Sequence, residues 1–213
     1  MRKFNNNEQG RSMIEMLGVL AIVGVLSVAG IAGYSKAMAK YKINKVMDEV
    51  STIAANVKTM FAANGVYTDL ATSKVAYELA LLPEEMTKGC ASADSVTDTT
   101  GTCVVNGLGG STIVKTTATT GDDAGAAFYV IMNGLTKEGC VALVTSDWGG
   151  TGGVKYIKGS NAAQTSLPLT ASGTKGTNFI TPTTSSADAF AYSVTADICN
   201  CTGSTCSVGW VFF

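Results

Sequence analysis

The sequence predicts an α+β protein in which a long N-terminal helix, apolar in its first half and amphipathic in its second, packs on an antiparallel β-sheet head with a disulfide-stapled C-terminal region. Three observations predict it. Twenty residues from Met16 to Ser35 pass without a charge. Apolar residues then recur mostly three or four apart as far as Phe61, with no proline before Pro83. The rest of the chain is rich in Gly, Ser and Thr, carries short β-branched runs and holds all six cysteines.

Taken in order, Met1 to Gly10 is short and polar. The uncharged run that follows Glu15 spans about 30 Å as a helix, the hydrocarbon thickness of a bilayer, and reads as a membrane segment. Gly18, Gly24, Gly30 and Gly33, with Ala21, Ser27 and Ala29, give it small-residue spacings that allow close helix approach. Beyond Ser35, Met38, Tyr41, Val46, Val50, Ile53, Val57, Met60 and Phe61 form a stripe, interleaved with Lys40, Lys42, Lys45, Asp48, Glu49 and Lys58. The helix therefore continues to the first stop, Asn64-Gly65, where glycine takes the left-handed C-terminal conformation. A helix from about residue 12 to 63 is roughly 75 to 80 Å long.

In the head, Ser73 to Leu82 has helical spacing, with Thr72 or Ser73 as N-cap and Pro83 as the stop. Ser111 to Thr117 and Ala126 to Met132 read as strands, and Leu135 to Thr145 as a helix opened by Thr136. Val154 to Ile157 follows a GGTGG turn as a further strand, Gly159 to Ser186 is surface loop, Phe190, Val194 and Ile198 mark a helix ending near Cys199, and Val208 to Phe213 is a closing strand. About 150 residues outside the apolar segment suffice for one head domain with a real core.

Composition excludes several chemistries. The formal net charge is −1, from fifteen basic and sixteen acidic residues, with no basic stripe interleaved with aromatics, so no nucleic acid partner is expected. The absence of histidine removes the usual general base and the commonest metal ligand. Cys199-x-Cys201 with Cys206 matches no common zinc or iron–sulfur spacing, so no metal site, cofactor or catalytic residue is expected and the chain is not read as an enzyme. Asp122-Asp123 and Asp147-Trp148-Gly149-Gly150 read as turns. Six cysteines in such a domain imply disulfides in an oxidising compartment; fifteen pairings are possible, and Cys90 with Cys103 is close enough to staple one loop.

The stretch Gly10-Arg11-Ser12-Met13-Ile14-Glu15, heading the long apolar helix, resembles the processing site of type IV pilin precursors. GVYTDLATSKVAYELALLPEEM (residues 65–86) and GLTKEGCVALVTSDW (residues 134–148) are similar to the type IVb branch. The resemblance implies a pilin fold, with a leader at 1–10, a membrane and filament-core half-helix at 11–35, an amphipathic half at 36–64 and a globular head at 65–213. It further implies prepilin peptidase cleavage between Gly10 and Arg11, Arg11 as the candidate for N-methylation, and Glu15 as the assembly residue. The family more often has an apolar residue where Arg11 stands, and the ten-residue leader is shorter than most of the branch. The implied Cys140–Cys199 bridge leaves Cys201 with Cys206, although Cys140 to Cys201 is nearly as compatible. The implied partners are other copies of the chain in a helical homopolymer, the peptidase, and an inner-membrane assembly platform. The implied location is the inner membrane for the precursor and the bacterial surface for the filament, which serves adhesion, aggregation, motility or conjugation-related contact.

Two other readings use the same residues. A type II secretion pseudopilin shares the processing site and the helix. A tethered or secreted periplasmic binding domain would use the apolar run as an ordinary signal peptide or anchor, with Ser27-Val28-Ala29 supplying small residues for cleavage. Glu15 intrudes on that last reading, because it sits where a signal peptide is positively charged.

Overall fold

The computed structural model describes residues 9–148, 153–170 and 198–213. The expected leader up to residue 8, most of the GGTGG turn, the surface loop beyond residue 170 and the helix expected through Phe190 and Val194 lie outside the described residues. Helix α1 (Gln9–Phe61) is continuous in its backbone. The chain divides within it into two compact units, Met1–Tyr41 and Lys42–Phe213.

In the second unit, β1 (Thr112–Thr116), β2 (Phe128–Leu135), β3 (Val154–Ser160) and β4 (Cys206–Phe212) form one sheet in the order β1-β2-β4-β3, every neighbour antiparallel. Alternation along the strands gives the sheet two apolar faces. Val114, Phe128, Val130, Met132, Trp210 and Phe212 cluster with Ile43, Val46, Val50, Ile53, Val57 and Phe61 of α1. Ile113, Tyr129, Ile131, Tyr156 and Val211 form a second cluster with Leu167. The amphipathic stripe is thus anchored as its spacing predicts, with two corrections. Tyr41 and Met60 are 62% and 50% exposed, while Ile43 and Ala54 are buried, because the buried arc drifts round the helix as 3.6-residue turns accumulate.

Segment 161–170 straps the second face. The Asn133 amide donates to the Gln164 carbonyl at 2.9 Å and accepts from the Gln164 N–H at 2.8 Å, and the Tyr156 hydroxyl donates to the Pro168 carbonyl at 2.6 Å. Burial pushes the Tyr156 hydroxyl up to about 12. At the β1 edge the outward N–H groups of Thr112, Val114 and Thr116 donate to the Val104 carbonyl, the Ser73 hydroxyl and the Leu70 carbonyl. That edge offers no row of free donors for another strand.

The connections correct several boundaries. Helix α2 (Ser73–Glu78) stops well before Pro83. Ala80, at φ 53°, reverses the chain, and the N–H groups of Ala80 and Leu81 return to the carbonyls of Tyr77 and Ala76. Thr72 occupies the N-cap position but makes no cap bond; the Ser73 N–H donates instead to the Asp98 carboxylate at 2.8 Å. Two short elements, α3 (Glu84–Thr87) and a 3₁₀ turn (Ala93–Ser95), were too brief to leave a period in the sequence. Helix α4 (Lys137–Thr145) opens at Thr136, whose hydroxyl accepts from the Gly139 N–H. Strand β3 runs on through Gly159 and Ser160, which the sequence placed in a loop. There the ladder continues opposite Val208 and Ser207. Strand β2 reaches Leu135 across an irregularity at Asn133-Gly134, where Gly134 (φ 70°) lies so close to Gly110 that neither backbone has room for a Cβ on the other.

Candidate functional site

Between Glu15 and Lys36, in the first unit, α1 carries no charge and is apolar on every side. Ile14, Leu17, Leu20, Val25, Leu26 and Ile31 are all between 64% and 76% exposed. It is the one helix among the described residues long and apolar enough to cross a membrane. A helix that is hydrophobic all round has to be covered by lipid or by other helices. Its two serines are already prepared for that: the Ser27 hydroxyl donates to the Val23 carbonyl at 2.7 Å and the Ser35 hydroxyl to the Ile31 carbonyl at 3.0 Å, so neither needs a partner from outside the helix. Gly18, Gly24, Gly30 and Gly33 have no atom within 4 Å of where a Cβ would sit. A shallow apolar groove at Ala21, Gly24, Val28 and Ala32, bounded by Leu20 and Val25, gives a neighbouring helix room to approach its backbone. Glu15 is exposed at the N-terminal end of this surface. Gly10 and Arg11 belong to the helical backbone four or five residues before it, and the side chain of Arg11 lies outside the described residues.

In the head, disulfides join Cys90 to Cys103, Cys140 to Cys199 and Cys201 to Cys206, with Cα–Cα distances of 5.0, 5.7 and 5.4 Å. They pin the 90–103 loop, tie α4 to the segment leading into β4, and close the turn before β4. With every sulfur so used, no cluster of His, Cys, Asp and Glu among the described residues is arranged to hold a metal.

Two carboxylates shape the head beyond what spacing alone revealed. Glu49 is 3% exposed. Its carboxylate accepts from the Gly107 N–H at 2.9 Å beside Lys45, whose ammonium pairs with Glu85 at 2.7 Å. Burial raises Glu49 above the usual carboxylate range, against the lowering effects of Gly107 and Lys45. Asp98 shows the opposite balance: burial pushes it up, but the bonds from Ser73 and the Lys115 ammonium at 3.0 Å outweigh that and hold it low. The signal for Glu49 was present in its position, three residues after Val46 and four before Ile53, beside the buried stripe. No local signal pointed to Asp98, because its partners come from other elements.

The family model described as PilS N terminal matches residues 40–185, well over half of the chain. The chain belongs to this family of type IV pilins. Among solved structures, the crystal structure of TcpA, a type IV pilin from Vibrio cholerae El Tor biotype, shares the fold with a TM-score of 0.52 at 17% identity, over 81% of this chain and 99% of that one. A comparison with curated proteins finds no match. The long helix, the four-stranded antiparallel sheet and the C-terminal disulfides of this pilin are those of a structural subunit, not of an enzyme. Pilins form homopolymeric filaments. The apolar half of α1 in this pilin fits a membrane-anchored precursor that becomes part of an extracellular filament.

Proposed function

We propose that this pilin is the filament-forming subunit of a type IVb-like pilus, cut by a prepilin peptidase between Gly10 and Arg11 and drawn from the inner membrane into a helical polymer by an assembly platform. One observation carries the reading: a helix half exposed and apolar on all sides, with a single carboxylate at its N-terminal end. In lipid that carboxylate is costly, by at least ~2.5 kcal/mol on insertion scales. In the polymer it has a use. Cleavage frees the Arg11 amine, and Glu15 of one subunit accepts a charge-assisted bond from the amine of the next, while the apolar faces cover one another. Glu15 then lies in the first turns of a helix beginning at Arg11, where the macrodipole favours an anion. N-methylation of Arg11 would leave that amine positively charged. In this reading residues 1–10 are the leader, 11–35 the membrane and filament-core half, 36–64 the half that anchors the head, and 65–213 the head.

The mature N-terminus tests this. Mass spectrometry of the subunit from its host should find Arg11 first, with or without added methyl groups. A chain beginning near Gly30 would show ordinary signal-peptide cleavage and remove the filament-core helix on which the proposal stands.

A further inference from the structure

We propose that Asn64-Gly65, at the end of α1, is a site of spontaneous covalent modification, deamidation and isomerisation of Asn64, with water as the only co-reactant. The chain holds three Asn-Gly pairs among its described residues, at 64–65, 106–107 and 133–134. All three share the same local chemistry. The deprotonated backbone nitrogen of the glycine attacks the asparagine Cγ, a C–N bond forms, and ammonia leaves with the amide nitrogen. The resulting five-membered imide is then opened by water at either carbonyl to give aspartate or isoaspartate. Water is consumed, ammonia is released and nothing is oxidised. Glycine favours the attack because it has no Cβ to obstruct the ring.

The fold separates the three. Asn106 is buried; its Oδ1 accepts from the N–H groups of Leu108 and Gly110 at 3.0 and 3.1 Å, and its Nδ2 donates to the Asn133 carbonyl at 2.9 Å. The nitrogen that would attack it, that of Gly107, is held by the buried Glu49 carboxylate. Asn133 is buried with both amide atoms bonded to the backbone of Gln164. Neither side chain can swing onto its neighbour's nitrogen without opening the head. Asn64 is exposed. The nitrogen of Gly65 is engaged only with the Phe61 carbonyl, at 3.0 Å in the last turn of the helix, and no atom lies within 4 Å of where a Gly65 Cβ would sit. Helix ends fray first, so releasing this nitrogen requires the loss of one exposed turn rather than of buried structure.

The product matters because of its place. A neutral amide becomes a carboxylate at the C-terminal end of α1, where the macrodipole disfavours an anion. In the isoaspartate form the backbone also lengthens by a methylene just before Tyr67, whose ring packs against Phe61 and Phe128 at centroid distances of 5.7 and 4.8 Å.

The experiment incubates the purified full chain in detergent, disulfides intact, at physiological temperature and mildly alkaline pH, beside a reduced and denatured sample. Peptide mapping with isoaspartyl methyltransferase labelling follows each site. In the denatured chain the three pairs should convert at comparable rates. In the folded chain Asn64 should convert within about tenfold of its denatured rate, and Asn106 and Asn133 about a hundredfold more slowly or less, since they wait for buried structure to open. Asn64→Gln, which would need a larger ring, should lose the modification while keeping the turn. An Asn64 as inert as Asn106 and Asn133 in the folded chain would overturn the proposal.

Discussion

Glu49 is a carboxylate on the buried side of an amphipathic helix, held by one backbone N–H and the neighbouring Lys45. Its raised pKa sets the sign of a pH effect. The folded chain holds this proton more tightly than the unfolded chain, so ionisation of Glu49 takes stability away as pH rises from the ordinary carboxylate value through the raised one. Asp98 works in the opposite direction: its lowered pKa contributes stability above the ordinary value and loses it as pH falls through the lowered one. Glu49→Gln keeps an oxygen for the Gly107 N–H and removes the buried charge. Its melting temperature should exceed that of wild type at neutral pH, and the two should converge below about pH 4.5, the unperturbed value, where wild-type Glu49 is already neutral. A gap that does not narrow on acidification would contradict the assignment. At this scale the sequence was only partly legible: Glu49's spacing beside Val46 and Ile53 was visible, but the loop that buries it, Asn106 to Gly110, comes from far along the chain.

The elements were more readable, for identifiable reasons. The length of α1 could be read because no proline or turn signal interrupts it and its apolar period changes face without breaking. Strands β1, β2 and β4 could be read because β-branched and aromatic residues concentrate between Gly, Asn and Asp. The end of α2 was not legible, since the reversal falls on Ala80 rather than on a glycine. A left-handed alanine costs roughly 1 kcal/mol, so Ala80→Gly should stabilise the head by about that much in thermal melts, less what glycine loses in unfolded-chain entropy. The helix-to-sheet seam has a sharper test. Val50 and Ile53 are fully buried in the first core cluster. Val50→Asp or Ile53→Asp places an unpaired charge there and should destabilise the head by several kcal/mol in denaturant titration. Wild-type unfolding in either variant would refute the packing.

For the whole molecule, disulfides brace the head, and helices hold the proposed polymer together. The bridges close sequence separations of 59, 13 and 5 residues. Chain-entropy arguments then rank their loss at about 4, 3 and 2 kcal/mol for Cys140–Cys199, Cys90–Cys103 and Cys201–Cys206, an order that paired Cys→Ala variants check by melting. The pairing could not be read from cysteine spacing alone, because three cysteines fall within eight residues near the C-terminus; the fold distinguishes them by placing Cys199 against α4 and Cys201 across the turn from Cys206. The proposed assembly role rests on the other end of the chain, on one carboxylate before twenty uncharged residues. Its most direct test is the ratio of filament to membrane-bound subunit for Glu15→Ala, expressed alone and with wild type, with the processed N-terminus checked by mass spectrometry. The variant should insert and be cut after Gly10, then enter filaments one to two orders of magnitude less readily, because it loses a charge-assisted bond of ~1.5 to 3 kcal/mol. Equal incorporation of correctly processed Glu15→Ala would contradict the account and leave Glu15 as a residue at the level of the lipid headgroups.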